Sequence, residues 1–557
     1  MILETDNYRI LIEKKNINLP KITNSEILEN LLDNRNIKNE NNNDFLTDLD
    51  LDSINPYEFS DMKDAVDTIS NFIKLKKNIG IYGDFDADGL TGTAILMETI
   101  EYLGSTAKPF IPHRENDGHG ISEKGINTLI ELGCELIITV DTGTNSYALI
   151  EETIKENKVD FIITDHHIPE KEKFNYPILN PVLNAGMTEY SGAGVAWILS
   201  KALFDYFDIP MKEGITSLAT IGTVADVAPL LKNNRTIVKK GLLEISKTNN
   251  YAIKALNNIS GKKFFYETPE TEYISFFMAP RINTPGRIED PYTSLKLLTA
   301  KNAKNAHNLS VKIEQMNNKR KSLSLELWEN IQDQIDFQKN KPLIFIDCTN
   351  YPLGLLGPLA GRLVENLSKP IFCFAKKENV YKFSCRSNDS YDLFDSLSKL
   401  ENYFVNFGGH ALAAGFSIKC TDYESFYQDM LESSDLKLKK SKKNYEVDME
   451  LDFDSFNYNL WDDIKILSPF GEKNPDPVFY STNVSIEKVK AIGANKNHIS
   501  GKILNSYNTF DFIGFNIPNI ESLSKGKANL IFKLRTDFWN GKKQTIAIKC
   551  ASCNPQK

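Results

Sequence analysis

The segment "NIGIYGDFDADGLTGTAILMETIEYLG" (residues 78–104) passes from a short apolar run, through a loop with three aspartates, into a longer apolar stretch. The run 79–82 predicts a buried strand, and the stretch that ends at Gly104 predicts a helix. The same pattern returns in "CELIITVDTG" (134–143) and "DFIITDHH" (160–167). Because strands and helices alternate over residues 60–230, the sequence predicts an α/β domain with a parallel sheet covered on both faces.

Acidic and imidazole side chains follow several of the predicted strands. The first strand is followed by Asp84, Asp86 and Asp88, and the second by Asp141. The third strand is followed by Asp165, His166 and His167, and a later apolar run by Asp226. Parallel α/β sheets bind ligands beyond the carboxyl ends of their strands, so we expect these side chains to meet at one edge. For Asp165 alone, capping of the next helix is an equally good interpretation.

The chemistry of these side chains favours a divalent metal. Aspartates and neutral imidazoles without cysteine suit Mn(II) or Mg(II) better than structural zinc. The number of groups exceeds the need of one ion and predicts two ions about 4 Å apart, as used for in-line attack on phosphorus. A calcium loop is excluded because the glutamate that an EF-hand needs at position twelve is replaced by Ile95 or Met97.

Overall composition narrows the class of protein. The 557 residues suffice for several domains, and the net charge of −9 argues mildly against a general nucleic-acid coat. No secretory signal or membrane-spanning run is apparent, so we expect a soluble cytoplasmic protein with reduced thiols. Cys550 and Cys553 form a CxxC pair, which alone is a weak zinc signal.

The pattern of apolar segments predicts five parts of the chain. These are an N-terminal segment (1–54), a catalytic α/β domain (55–265), a linker with a long helix (266–335), a second α/β domain (336–433) and a β-barrel of the OB type (446–557). A basic stretch at 434–446 reads as the link to the barrel, whose short alternating segments suit a small closed sheet.

Several motifs carry a family resemblance. "YGDFDADGLTG", "VDTG", "TDHH" and "ADVAPL", in this order, resemble the four motifs of the DHH phosphoesterase superfamily. "PRINTPGR" (280–287), "GGHALAAGF" (408–416) and "PFGEKNPDPVF" (469–479) resemble segments of its RecJ family of single-strand-specific exonucleases. The resemblance covers residues 55–557 and implies that the two α/β domains are a DHH catalytic domain and a DHH-associated substrate-binding domain.

The resemblance implies an activity and roles for individual residues. The activity is 5′-to-3′ exonuclease action on single-stranded DNA with Mn(II) or Mg(II), in DNA repair and recombination. His167 would contact the scissile phosphate, and Asp165 would orient its neighbours. Tyr82 stands where some superfamily members have a metal-binding histidine. The implied metal ligands are Asp86, Asp88, Asp141, His166 and Asp226, with Asp84 beside them.

Further residues are candidates for binding the DNA strand. Arg281 and Arg287 flank "INTPG", which predicts a turn that presents both guanidinium groups to phosphates. By resemblance, Arg114 contacts the strand near the metals, His410 contacts a phosphate, and a 5′ phosphate is anchored by Arg362, Ser384 and Arg386. Solvation at the surface is the alternative for each of them. Phe510, Phe512, Phe515 and Phe538 either stack on bases or form the barrel core.

Two other functions remain open at this stage. The first is a DHH phosphodiesterase for short oligoribonucleotides or cyclic dinucleotides, although such proteins end after the two α/β domains. The second is a degenerate DHH protein that only binds DNA or a replication partner. For the leading interpretation we expect a monomer that binds single-stranded DNA with a 5′ phosphate, and a single-strand-binding protein or a helicase as a possible partner.

Overall fold

The computed structural model describes most of the chain. The described residues are 2–4, 8–12, 24–35, 45, 50–114, 117–118, 120–157, 159–261, 268–432, 443–493, 496, 498–515, 526–537 and 543–553. They divide into a larger unit (Ile54–Ala228 and Lys240–Lys440) and a smaller unit (Met1–Ser53, Pro229–Lys239 and Ser441–Lys557). Within the described part, no helix combines the length and the apolar character that crossing a bilayer requires.

The first half of the larger unit is built on a five-stranded parallel sheet. The spatial order is β4-β3-β5-β6-β7. The strands are β3 (Asn78–Gly83), β4 (Thr106–Phe110), β5 (Leu136–Val140), β6 (Asp160–Thr164) and β7 (Ile178–Leu179). The central strands are buried along almost their whole length, as is usual for a parallel sheet covered on both faces.

Helices cover both faces of this sheet. They are α2 (Met62–Lys74), α3 (Ala87–Tyr102), α4 (Glu123–Glu131), α5 (Tyr147–Asn157), α6 (Gly192–Tyr206) and α7 (Ile215–Ala225). On one face, Leu129 of α4 and Ile150 of α5 belong to the same hydrophobic core as Phe161 of β6. On the other face α3, α6 and α7 pack closely: a Cβ atom added to Gly92 would lie 2.6 Å from Val140 and 3.2 Å from Ala193.

A helical region connects the two halves of the larger unit. It contains α8 (Lys232–Lys247), which crosses the sequence boundary between units, and then α9 (Tyr251–Ile259), α10 (Thr271–Tyr273), α11 (Ala279–Ile288), α12 (Tyr292–Leu298), α13 (Ala303–Asn330) and α14 (Gln332–Gln338). A π-helical segment, Ile274–Met278, leads directly into α11. The long predicted helix is α13, which has 28 residues.

The second half of the larger unit contains a mixed sheet of order β11-β12-β10-β9-β8. Its strands are β8 (Ile344–Asp347), β9 (Ile371–Lys377), β10 (Val380–Arg386), β11 (Phe404–His410) and β12 (Ala413–Lys419). Only the pair β8–β9 is parallel. Its helices are α15 (Leu356–Leu367), α16 (Leu393–Ser398) and α17 (Tyr423–Glu432).

The smaller unit contains a closed five-stranded barrel. Its order is β15-β16-β17-β19-β18, and β18 pairs back onto β15. The strands are β15 (Val478–Ile492), β16 (His498–Leu504), β17 (Thr509–Gly514), β18 (Lys527–Asp537) and β19 (Lys543–Cys553). β14 (Met449–Glu450) adds to β15, and α18 spans Tyr458–Ile464.

The N-terminal part of the chain also belongs to the smaller unit. β1 (Ile2–Glu4) and β2 (Tyr8–Ile12) form a small sheet with β13 (Lys443–Val447). α1 (Asn24–Asn34) packs Ile27 and Leu31 into the barrel core. Residues 434–442 of the predicted basic linker lie outside the described residues. The predicted fold class is confirmed: two α/β parts, a long connecting helix and an OB-type barrel.

One local prediction is wrong. "INTPG" does not form a turn, because residues 279–288 form α11 with Pro285 inside it. The helix survives because Ile282 and Thr284 are buried in the unit, and this packing outweighs the local Pro-Gly signal.

Candidate metal centre and phosphate site

The loop after β3 begins the site. Asp86 caps α3, and its side chain accepts hydrogen bonds from the Asp88 amide at 2.9 Å and the Gly89 amide at 3.1 Å. Gly89 is required here, since a Cβ atom would lie 2.7 Å from the backbone of Asp84. The amide of Ala87 donates to the side chain of Asn283 at 2.7 Å. The aspartate loop is therefore fixed before any ligand binds.

The start of α6 holds Asp88. Its two carboxylate oxygens accept from the amides of Gly192 at 2.6 Å and Ala193 at 2.9 Å. The carboxylate is buried, and the amides at the helix N-terminus favour its negative charge. The glycine also allows close approach: a Cβ atom at Gly192 would lie 2.4 Å from that of Asp141.

Asp141, His166 and Asp226 meet beside Asp88. Asp141 directly follows β5 and has a positive φ of 60°, which an aspartate tolerates better than most residues. His166 places Nε2 3.0 Å from Asp141 and Nδ1 3.8 Å from Asp226, which ends α7. One imidazole thus lies between carboxylates from two elements.

Asp165 organises the two histidines. The buried carboxylate accepts from the amide of Thr144 at 2.9 Å and from that of His166 at 2.8 Å. Nδ1 of His167 lies 2.7 Å from the same carboxylate. This hydrogen bond outweighs the opposing effect of burial and raises the pKa of His167 to about 9. His167 is therefore protonated at neutral pH, while Asp165 stays ionised because these bonds outweigh its burial and lower its pKa.

The remaining carboxylates repel one another. Burial and the charge of Asp86 raise the pKa of Asp84 to about 7. Burial and the charge of Asp88 raise the pKa of Asp226 to about 7. Burial and neighbouring carboxylates also raise the pKa of Asp141 well above its ordinary value. Packing acidic groups so closely is unfavourable unless a cation offsets their charge.

The geometry provides overlapping sets of metal ligands. In each set the ligand atoms lie within 4.8 Å of one another. The sets are Asp84, Asp86 and Asp141; Asp88, His166 and Asp226; and Asp141, His166 and His167. Carboxylate oxygens with imidazole nitrogens fit Mn(II) or Mg(II). Because Asp141 and His166 are shared between sets, the cluster can hold two neighbouring ions. The hydroxyl of Tyr82 instead contacts residues 120 and 122.

Three arginines form a cationic patch near the aspartates. Arg114 stacks on Phe85 at 4.0 Å, Arg287 donates to the carbonyl of Gly354 at 3.1 Å, and Arg386 donates to that of Cys385 at 2.8 Å. Burial and repulsion from Arg114 lower the pKa of Arg287 to about 10. Burial also lowers the pKa of Arg114, opposed by the charges of Asp84 and Asp86. Guanidinium groups held together against their repulsion form a site for an anion.

Ser384 and Arg386 lie next to the beginning of α15. A Cβ atom at Gly357 would lie 3.3 Å from the Ser384 hydroxyl and 3.4 Å from the Arg386 guanidinium. Both residues project from β10, where alternate residues share a face. The hydroxyl and the guanidinium are suitable donors for a phosphate.

The other predicted DNA-binding residues lie in different surroundings. Arg281 is buried and binds both carboxylate oxygens of Glu314, at 2.6 and 3.1 Å. Arg362 is exposed and lies over the ring of Trp328 at 3.7 Å. His410 is exposed on β11 opposite Ala413, which in turn pairs with Arg386. The structure therefore brings Arg287 and Arg386 together, whereas Arg281 is engaged elsewhere.

Two residues that position the aspartates were not identified from the sequence. Asn283 fixes the aspartate loop, and Gly192 holds Asp88. "SGAG" at 191–194 was a detectable signal for a helix start, since Ser191 caps α6 through the amide of Gly194. No signal in the sequence paired either residue with the aspartates.

Comparisons with known proteins agree with this architecture. Residues 78–223 match the DHH family N-terminal domain, 340–439 the DHHA1 domain and 447–548 the RecJ OB domain. The single-stranded-DNA-specific exonuclease RecJ of Bacillus subtilis is 32% identical over 91% of this chain. The chain spans 65% of the length of that relative.

The similar solved structures include two of RecJ. RecJ of Thermus thermophilus with Mn2+ has a TM-score of 0.80 at 24% identity, covering 98% of this chain and 79% of that one. A manganese-bound exonuclease RecJ has a TM-score of 0.61 at 30% identity, covering 67% of this chain and 94% of that one. With this identity, this coverage and all three domain matches, the chain belongs to the RecJ family of DHH proteins.

Proposed function

We propose that this chain is a metal-dependent exonuclease that hydrolyses single-stranded DNA from the 5′ end. The observation that carries the proposal is the juxtaposition of the carboxylate–imidazole cluster with the patch of Arg114, Arg287 and Arg386. The names of the similar proteins, RecJ single-stranded-DNA-specific exonuclease, support the substrate. The manganese in the solved RecJ structure that is 30% identical supports the choice of metal.

The cluster would hold two divalent ions through Asp84, Asp86, Asp88, Asp141, His166 and Asp226. Bound there, such ions lower the pKa of a water molecule and offset charge on the phosphoryl oxygens. His167, protonated through its bond to Asp165, would donate a hydrogen bond to an oxygen of the scissile phosphate. The rigid anchoring of Asp88 and Asp86 by backbone amides keeps the geometry constant through turnover.

The arginine patch would set where the strand is cut. Ser384 and Arg386 would bind the terminal 5′ phosphate, with Arg114 and Arg287 offsetting its charge. A fixed terminal pocket beside the metal cluster would favour removal of end nucleotides over internal cutting. His410 and Arg362 would contact phosphates farther along, whereas we assign Arg281 a positioning role through Glu314.

The test is a digestion of single-stranded DNA labelled at its 3′ end, with Mn(II), with and without a 5′ phosphate. We expect a shortening ladder that depends on the metal and is faster with the phosphate. Asp141→Ala should abolish it. Asp160→Ala is the matched control, because Asp160 is exposed at the start of β6, whereas the metal cluster lies beyond the carboxyl ends of the strands. Arg386→Gln should remove the preference for the phosphate.

An intact strand would refute the proposal. Turnover of short oligoribonucleotides or cyclic dinucleotides would then support the small-substrate phosphodiesterase, and metal uptake without any hydrolysis would support a binding-only protein. The match of residues 447–548 to the RecJ OB domain favours the long-strand nuclease over the small-substrate enzyme. Action in DNA repair and recombination in the cytoplasm, as a monomer recruited by a single-strand-binding protein or helicase, remains a prediction.

A further inference from the structure

The outer face of two barrel strands carries an unusual set of side chains. Ile499 and Ile503 of β16, and Phe510 and Phe512 of β17, are buried in the barrel core. Because side chains alternate along a strand, the intervening residues lie on the opposite, outer face. These are His498, Ser500 and Lys502 on β16, and Asp511, Ile513 and, just past the end of β17, Phe515.

An aromatic pair lies at one end of this face. The rings of His498 and Phe515 are 5.3 Å apart at 70°. The register explains the contact, since Ile499 pairs with Gly514 and their outer neighbours therefore oppose each other. Phe515 is 47% exposed, so its ring is accessible to a base.

Cationic side chains adjoin the pair. Lys490 of β15 is exposed and pairs in register with Ser500, one row away from His498. Lys488 is also exposed, in the bulge of the same strand. Lys502, farther along, is already in an ion pair with Asp511 at 2.6 Å. The charges of Lys490 and Lys488, near the aromatic pair, are therefore available to bind phosphates, whereas the charge of Lys502 is neutralised by Asp511.

We propose that Phe515, supported by His498, is a base-stacking site for single-stranded DNA, with Lys490 and Lys488 facing the adjoining phosphates. The inference rests on the proposed function and deepens it by naming where the barrel holds the strand. An exposed ring flanked by cations is the pattern that binds single strands without sequence preference. The second and third strands of an OB barrel, here β16 and β17, present the oligonucleotide-binding face.

The structure distinguishes this ring from the other phenylalanines considered for stacking. Phe510 and Phe512 are core residues, 0% and 2% exposed, and no base can reach them. Phe538 lies outside the described residues. Tyr507, in contrast, is 77% exposed in the turn at the opposite end of β16 and β17. It offers an equally accessible aromatic ring for comparison.

The test measures binding of full-length protein to oligo-dT, labelled at the 3′ end, of about 6 and about 24 nucleotides, lengths chosen around the span of one OB fold. Asp141→Ala is present throughout, so that the strand is not consumed. We expect Phe515→Ala to weaken binding of the long strand by roughly five- to 150-fold, the range for one stacked base, and to leave the short strand unaffected. Phe515→Tyr should restore affinity, and Tyr507→Ala should change nothing.

The outcomes separate this inference from the proposed function. Equal long-strand affinity for Phe515→Ala and its parent overturns the stacking site, as does an equal loss in Tyr507→Ala. With Asp141 intact, Phe515→Ala should degrade the short strand at the parental rate. A parent that degrades no DNA refutes the nuclease, yet the binding comparison still decides whether Phe515 stacks on bases.

Discussion

At the scale of single residues, Asp141 is a site residue that lowers the stability of the metal-free protein. It combines a positive φ with a buried carboxyl group whose ionised form is disfavoured by burial and by neighbouring carboxylates. We predict that Asp141→Asn raises the melting temperature of the chelator-treated protein, because asparagine tolerates this φ and carries no charge. Each 1 kcal/mol gained corresponds to roughly 2–4 °C in a domain of this size. Mn(II)-dependent cleavage should fall at least ~100-fold, since even indirect metal partners matter by 10–100-fold.

Thermal unfolding with and without Mn(II) checks this prediction. The parental protein should gain stability from the metal, and the variant should not. Asp160→Asn is the control, because Asp160 is exposed at the start of β6, away from the metal cluster. It should behave as the parent in both conditions. A lower melting temperature of metal-free Asp141→Asn would contradict the explanation.

Asp165 sets the protonation of His167, which predicts a pH effect. The folded-state pKa of about 9 lies above the ordinary value of about 6.5, so the charged form and the stability that it contributes are lost as the pH rises through 9. Cleavage that needs the protonated ring should therefore decline above pH 9. Asp165→Asn should move this decline toward about 6.5 and reduce the rate by ~10–100-fold. Cleavage rates of the parent and of Asp165→Asn measured as a function of pH test this prediction. If the alkaline decline occurs at the same pH in both proteins, a group other than His167 is responsible for it.

Sequence and structure agree best for residues that directly follow a strand. Asp84, Asp141 and Asp165 could be placed at one sheet edge because three parallel strands end there. Asn283 could not be placed, since its partner Ala87 is 196 positions away. Contacts over such separations depend on how helices pack, which local patterns do not encode.

At the scale of elements, the start of α6 is predicted to be sensitive to a single methyl group. Gly192→Ala would place Cβ 2.4 Å from Asp141 Cβ, within the site that also holds Asp88. We expect a loss of about 1–3 kcal/mol in stability, as for other overpacked positions, together with most of the activity. Gly361→Ala in α15 is the control: no atom lies within 4 Å of its added Cβ. That change should stabilise by ~0.4–1 kcal/mol and retain activity.

Helix α11 separates two arginines that looked equivalent in the sequence. A turn would present both outward, but the helix buries Arg281 against Glu314 and places Arg287 beside Arg114. Arg281→Ala should lower stability, by up to ~3–5 kcal/mol if Glu314 is left wholly unpaired, with little change in KM. Arg287→Ala should chiefly raise KM. Denaturant unfolding and steady-state kinetics on both variants test this difference. A raised KM for Arg281→Ala without a loss of stability would show that Arg281 contacts the DNA phosphates after all.

At the scale of the whole molecule, the N-terminal segment was the hardest part to place. Its polar sequence predicted only a segment before the catalytic domain, yet α1 contributes to the barrel core more than 400 residues later. Arg35 shows the link, since its guanidinium bonds the Asp448 carboxylate at 3.3 Å and the Asn474 side chain at 2.8 Å. The barrel strands themselves were predictable because each alternates apolar and polar residues over a short span.

This arrangement predicts separable unfolding of the two units. Leu31 is fully buried in the barrel core, so Leu31→Ala should destabilise the smaller unit by about 2–5 kcal/mol. The metal cluster lies wholly in the larger unit, so Mn(II)-dependent cleavage of short strands should persist above the unfolding transition of the smaller unit. Calorimetry should show one transition moving down while the Mn(II)-sensitive one stays. Glu29→Ala, exposed on the same helix, should move neither. If both transitions fell together in Leu31→Ala, the barrel and the catalytic unit would instead unfold as one cooperative body.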